Sequence, residues 1–382
     1  MPAKHRSEEP FISPWVIVAA VIIVAGFVAA GILLAREYRG QDGEPASTPE
    51  PVSVTSVDPL ILTVTPEPTP SPTPEPTPSP TPAPIPDNGQ DGYLSGGIYV
   101  WNNMGFELFY GNNEAAEPYA QAIEGFAAQL PGVNVYSMVV PNHSEFGLPE
   151  RLRNSLNCGS QRENTAHIYS LYSNAIPVDI YDTLNQHKEE YIYYNTDTHW
   201  TSLGAYYAYE AFCQTAGLQP AALDSFALES HPDFHGYLYQ VTGEDCLWEN
   251  ADHIDLYEPG YPYAASLSSD GWSFSELPGV NGSDASAGYS MYLWGDQPCF
   301  RIVNEFSFTR RKLALVKESY GNPIGPFLAA SFDEVYAIDF RTFPGSLPDF
   351  IAQNEITDVL FLNSAMAANT YDRVQDLSNL FP

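Results

Sequence analysis

Basic residues are scarce in this chain of 382, where 15 Lys and Arg stand against 47 Asp and Glu for a formal net charge of −32. A surface that tracks nucleic-acid phosphates needs clustered cations, so that class of partner is excluded. An acidic, tyrosine-rich chain suits a neutral or glycan partner better. Cysteine is sparse too. Cys158, Cys213, Cys246 and Cys299 show no CxxC spacing, which argues against zinc ligation. As an even set in an oxidising compartment they allow up to two bridges in one of three pairings.

One apolar run is long. Trp15 to Ala35 is uninterrupted apolar or small, and at 1.5 Å per residue it spans roughly 30 Å of hydrocarbon. A cleaved signal peptide has an apolar core of only about 7 to 15 residues, so the length favours an uncleaved anchor. Lys4 and Arg6 on one side and Arg36 and Arg39 on the other give the positive-inside rule almost nothing to decide. Residues 1–14 are placed in the cytoplasm because the rest of the chain reads as extracytoplasmic, which makes the protein a single-pass resident of the cell membrane.

Residues 36–90 read as a Pro/Thr/Ser-rich linker. Within them Pro66 to Pro86 repeats Pro-Thr-Pro, Pro-Ser-Pro and Pro-Glu-Pro units, which cannot bury a core and hold the chain near polyproline II. At about 3.1 Å per residue the run reaches roughly 65 Å, either as a semi-rigid stalk that lifts a domain from the membrane or as a plain tether. The folded domain is expected over 91–382.

Short β-rich runs alternate there with helical periodicity, the pattern of an α/β domain with a mainly parallel sheet. Strands are predicted at Ile98 to Trp101, Phe106 to Tyr110, Val133 to Val140, Val178 to Tyr181, Leu313 to Lys317, Val335 to Phe340 and Thr357 to Leu362. Helices are predicted at Glu114 to Leu130, Ala166 to Ser173, Thr201 to Ala216, Pro323 to Ala330 and Ser364 to Leu377. Between about 217 and 305, Gly, Ser, Asp and aromatics dominate without a helical period. That stretch reads as a loop-rich insertion with some strand.

Two runs carry chemistry. Asp197-Thr198-His199-Trp200 leads into the helix at Thr201, and a D-x-H pair on extended or turn backbone points both side chains to one side. The carboxylate can then hold the imidazole as a general base, share a metal ion with it, or belong to an ordinary structural histidine. A metal site needs a third ligand, and His231, His235 and His253 offer no compact motif. Ser319 closes the apolar run Leu313 to Lys317 and is followed by Tyr320-Gly321-Asn322-Pro323, a turn that starts a helix. A serine there lies where open α/β sheets collect their ligands; the plain reading is a helix-capping serine. Together the runs hold the parts of a Ser-His-Asp triad in the order Asp, His, Ser.

The segment Tyr191 to Tyr209, with its D-T-H-W core, resembles the signature of the DHHW family. That core is also similar to the one in the alginate O-acetylation proteins AlgX and AlgJ, of the SGNH-hydrolase-like superfamily. Val139-Val140-Pro141, Val178 to Asp182 with His187-Lys188, and Glu334 to Arg341 resemble the DHHW pattern as well. The resemblance covers most of 97–382. It implies a three-layer, flavodoxin-like SGNH fold and O-acetyl transfer to or from a cell-surface or exported polysaccharide, with no cofactor or metal and with a membrane protein as acetyl donor. The triad roles fall on Asp197, His199 and Ser319. The chain departs from the common pattern at Thr198, where a second histidine is usual, and at Glu318, where Asp is usual. For the oxyanion the Ser319 N–H is the main candidate, with Asn322 and Arg341 as side-chain candidates; Arg341 reads equally as an ion-pairing residue. Tyr206, Tyr207 and Tyr237 are candidates to stack on sugars, with core packing as the competing role. Two other readings stand beside the enzyme: a non-catalytic glycan-binding module and an envelope scaffold that retain the fold.

Overall fold

The computed structural model describes residues 83–382. The expected tail, the apolar segment Trp15 to Ala35 and most of the linker lie outside them. Among the described residues no helix is long and apolar enough to cross a membrane. Asp87 and Asp91, on either side of the expected linker boundary, both pair with Arg151.

The strands in chain order are β1 (Tyr93–Ser95), β2 (Ile98–Trp101), β3 (Met104–Phe106), β4 (Asn134–Val140), β5 (Ile176–Pro177), β6 (Phe226–Phe234) and β7 (Asp252–Pro259). They continue with β8 (Tyr263–Ser268), β9 (Ser275–Leu277), β10 (Cys299–Asn304), β11 (Lys312–Lys317), β12 (Glu334–Asp339) and β13 (Asp358–Ser364). Eight of them form the main sheet in the order β5-β4-β13-β11-β12-β10-β8-β9. From β5 to β12 every neighbour is parallel. From β12 outward the pairs with β10, β8 and β9 are antiparallel. The sheet is therefore mixed rather than mainly parallel, and its antiparallel part comes from residues expected to form a loop-rich insertion. Those strands are short and only partly buried, with serine, glycine and proline between them, so their alternation is weak in the sequence. The same stretch also builds a separate antiparallel arm, β6 with β7.

The central strands are buried on both faces, which is why they read as continuous apolar runs. Successive side chains still point to opposite sides. Leu313, Leu315, Leu360 and Leu362 pack on one face with Trp200, Tyr209 and Phe212 from the 200–216 region. Ala314, Val316, Val359 and Phe361 pack on the other with Tyr119, Ile123 and Phe350 from the helices Asn113–Gln129 and Leu347–Asn354. All four cysteines are free thiols. Cys213 belongs to the first core and Cys299 to the second, so the sheet separates them, and no bridge of the expected kind forms.

Local differences have local causes. No strand forms at 178–181: the two-residue β5 ends at Pro177 and a helix follows at Tyr181–Gln186, where Asp179 accepts from the Tyr181 N–H at 3.0 Å. The strand expected to run on to Tyr110 ends at Phe106. The last helix is broken into Ala365–Ala368 and Tyr371–Ser378.

Candidate active site

The D-T-H-W run lies on a tight loop whose ends pair with each other, Tyr193 bridging Trp200, and the Thr201 N–H donating to Ile192 O at 3.0 Å. Thr201 then caps the helix Ser202–Ala216, which ends at left-handed Gly217. Asp252 fixes the loop from beneath. Its buried carboxylate accepts from the Asn195 N–H at 2.9 Å, from the Thr196 N–H and hydroxyl at 2.7 and 2.6 Å, and from the Tyr191 hydroxyl at 2.7 Å. Burial nevertheless pushes that carboxyl above its ordinary range, against the pull of those donors.

Ser319 leaves the carboxyl end of β11, flanked by β13 and β12, and opens a short 3-10 turn to Gly321. Gly321 is required there, because a Cβ would stand 2.4 Å from the Lys317 Cβ. The turn and the D-T-H-W loop are 120 residues apart in sequence and are joined by three bonds. Ser319 Oγ lies 2.8 Å from His199 Nε2, Trp200 Nε1 donates to Tyr320 O at 2.8 Å, and the Tyr320 hydroxyl donates to Thr198 O. On the far side of the imidazole, Nδ1 lies 2.5 Å from Asp197 Oδ1. The structure thus brings Asp197, His199 and Ser319 into one line.

Electrostatics follow from this packing. Burial works against a charged imidazole at His199, but the Asp197 carboxylate, its hydrogen bond, and the charges of Glu318 and Asp296 outweigh it and raise the group above its ordinary value. Burial likewise opposes the Asp197 charge, yet His199 and the backbone donors hold that carboxyl below its usual range. Among the described residues no group of three or more His, Cys, Asp or Glu side chains is placed to hold a metal ion. Glu318, the unusual residue before the serine, folds back into the turn. Its Oε1 accepts from the Ser364 N–H at 2.8 Å, and its Oε2 faces Ser319 Oγ at 3.2 Å and the Tyr320 N–H at 3.4 Å. The longer side chain thereby ties the Ser319 turn to the end of β13.

Asn322 and Arg341 lie near this turn, and both donate to Asp296, a carboxylate that no sequence motif marks. Asn322 Nδ2 donates to Asp296 Oδ1 at 2.9 Å, and Arg341 donates to Asp296 Oδ2 at 2.7 Å and to both oxygens of Asp339 at 2.9 and 2.5 Å. Lys317, almost fully buried, completes the network at 3.4 Å from Asp296 and 3.6 Å from Asp339. Burial raises Asp296, but Lys317, Asn322 and Arg341 pull it down to about 2. Arg341 therefore has an ion-pairing place. The Ser319 N–H makes no hydrogen bond among the described residues, which leaves it available to an oxyanion.

The 217–305 stretch supplies the rest of the site. The Tyr289 ring stacks on His199 with centroids 3.8 Å apart and planes 12° apart, and its hydroxyl donates to Ser319 O at 3.0 Å. Next to β6, the Tyr237 N–H donates to Asp197 Oδ2 at 2.8 Å, while Gly236 passes so close that a Cβ would stand 2.3 Å from the Asp197 Cβ. No motif marks these residues, since their roles arise only from tertiary approach. Of the tyrosines expected to meet sugars, Tyr206 is buried in the core, Tyr207 bonds Glu190 and stacks on His187, and Tyr237 is half exposed.

Fold and site together define a mixed α/β protein in which Asp197, His199 and Ser319 line up at the carboxyl end of a central strand. More narrowly, the chain belongs to the DHHW family, whose pattern matches residues 82–338. A DHHW family protein from Eubacterium siraeum shares 32% identity and a TM-score of 0.70, covering 76% of this chain and 98% of that one. PatB1 of Bacillus cereus, solved with a sulfonyl adduct, shares 21% identity and a TM-score of 0.60 over 73% of this chain and 96% of its own, a likeness of fold. The O-acetyltransferase domain of Pseudomonas putida AlgJ is more distant, at 14% identity and a TM-score of 0.41 over 76% of this chain and 99% of its own. No curated protein matches the chain.

Proposed function

We propose that this protein is a serine acyltransferase that moves an acetyl group onto a hydroxyl of a cell-surface or exported polysaccharide, held at the membrane by its N-terminal apolar segment. The observation that carries the reading is the unbroken line from Asp197 through His199 to Ser319 Oγ, with contacts of 2.5 and 2.8 Å. In the first step His199 Nε2 takes the hydroxyl proton, Ser319 Oγ bonds to the acetyl carbonyl carbon, and the bond to the donor's leaving group breaks. Asp197 balances the imidazolium, and the Ser319 N–H faces the oxyanion. The imidazolium then protonates the leaving group. In the second step His199 takes the proton of a sugar hydroxyl, whose oxygen bonds to the acetyl carbon as the bond to Ser319 Oγ breaks, and the imidazolium returns the proton to Ser319 Oγ. Water in place of the sugar makes the same site an esterase.

Membership of the DHHW family and the likeness of fold to PatB1, a protein solved with a sulfonyl adduct, agree with this reading. So does the apolar segment, which calls for a donor that reaches the outer face, such as a membrane protein. The test is the mass of the full chain after incubation with an activated acetyl ester. One acetyl group is expected on the native chain and none on Ser319→Ala. An adduct that persists in the variant removes Ser319 as nucleophile, and no adduct on the native chain favours a glycan-binding protein.

A further inference from the structure

A concavity of about 430 Å³ opens beside the catalytic line, with Asp197 and Tyr289 in its wall. Its other walls come from 231–240 and 285–290, both inside the stretch 217–305. Tyr289 thus separates the cleft from His199 by the thickness of one ring.

The rim of this cleft is aromatic and open to solvent. Tyr237, which lines it, is 52% exposed, and Trp248 is 55% exposed beside it. Trp248 stacks on the lining residue His235 with centroids 4.0 Å apart and planes 16° apart. Tyr237 and Trp248 are among eight aromatic rings exposed on the described residues, and what sets them apart is their place on or against the lining of a cleft that Asp197 also lines. Flat rings interleaved with carboxylates and amide groups match a pyranose, which offers C–H faces to the rings and hydroxyls to the acceptors.

Charge narrows the ligand further. From Glu189 to Phe300 the chain contains no Lys and no Arg. Asp233 lines the cleft, and Glu244, Asp245 and Glu249 lie in the same arm around Trp248. A uronate or phosphate-bearing polymer would meet only like charge here, apart from the imidazoles His231 and His235. We propose that the cleft is a subsite for a polysaccharide that carries neither carboxylate nor phosphate, built of neutral or amine-bearing sugars. It grips the strand beside the sugar that receives the acyl group. This rests on the acyltransfer reading above. It adds the class of acceptor, and it makes remote binding a means of holding the acceptor at Ser319.

The experiment titrates the full chain with short soluble oligosaccharides of three kinds: neutral N-acetylglucosamine, amine-bearing glucosamine and uronate oligomers. Binding is followed by calorimetry and tryptophan fluorescence. Neutral or amine-bearing oligomers are expected to bind and uronates not to. Tyr237→Ala and Trp248→Ala should each weaken binding by about tenfold, with Trp248→Phe restoring most of it and Ser319→Ala leaving affinity in place. Asp233→Lys should bring uronate binding up. Uronates binding as tightly as the other oligomers, no binding by any oligomer, or affinities that ignore the two aromatic substitutions would each overturn the proposal. The acetyl adduct on the native chain is read separately, so an acylated enzyme without this subsite is distinguishable from a chain that is never acylated.

Discussion

The parallel half of the sheet and the stretch 217–305 reach His199 by different routes. The parallel half does so through backbone that is buried on all sides: β11 delivers Ser319 at a strand end, and the helix entrance at Thr201 fixes the imidazole from the other side. The other stretch does so through single contacts, the Tyr289 ring on the imidazole and the Tyr237 N–H on the carboxylate. The groups that the proposed reaction uses thus sit at the ends of a core strand and a core helix, and the groups that contact them sit on the part built from short strands and turns. The comparison predicts that damage to the first destroys chemistry or the fold, while damage to the second changes efficiency and selectivity.

The largest effect belongs to Asp197→Asn, which removes the charge that holds the imidazole. Acylation measured in a single turnover should fall by roughly 10⁴. The pH dependence fixes the sign. Only neutral His199 can take the serine proton, and its raised value places the rising limb of the native profile above 6.5. Without the carboxylate, burial dominates, so the residual limb of the variant should move to lower pH. A limb that stays in place would mean that Asp197 does not set the titration.

Next comes Lys317→Ala, which leaves fully buried Asp339, with the more exposed Asp296, without their shared ammonium. Denaturant unfolding should show a loss of about 3–5 kcal/mol. A loss near zero would show that Arg341 alone holds the network. Gly236→Ala tests the junction itself, because its methyl must displace Asp197 or the arm. Overpacking of this kind costs about 1–3 kcal/mol of stability, and it should appear as slower acylation by the folded fraction together with a lower unfolding midpoint. If stability falls and the rate of the folded fraction does not, the arm is a structural support only. The smallest effect is expected from Tyr289→Phe, which keeps the stack and removes one hydrogen bond worth about 1 kcal/mol. Tyr289→Ala should cost more than the phenylalanine variant, with the difference measuring the ring.

The two regions also differ in how far they can be read from sequence. β4, β11, β12 and β13 are legible because burial on both faces writes uninterrupted apolar runs. Asp197 with His199 is legible because two residues suffice to aim both side chains, and Ser319 because it ends such a run. β8 and β10 alternate only partially, so their place at the sheet edge is hidden. That Asn322 and Arg341 both bind Asp296 is likewise hidden, because Asp296 comes from the stretch without a readable period. Asp252, 56 residues beyond Thr196 in sequence, carries no mark of the loop it supports.

The bonds of Trp200 and Tyr320 across a span of 120 residues have a kinetic meaning. Closing a flexible loop of that length costs on the order of 4 kcal/mol of chain entropy before any contact repays it. Serine and imidazole therefore meet only after the intervening strands have docked, and reactivity at Ser319 becomes a gauge of completed folding. A chain nicked or stalled inside those 120 residues should be chemically silent while its secondary structure still looks native.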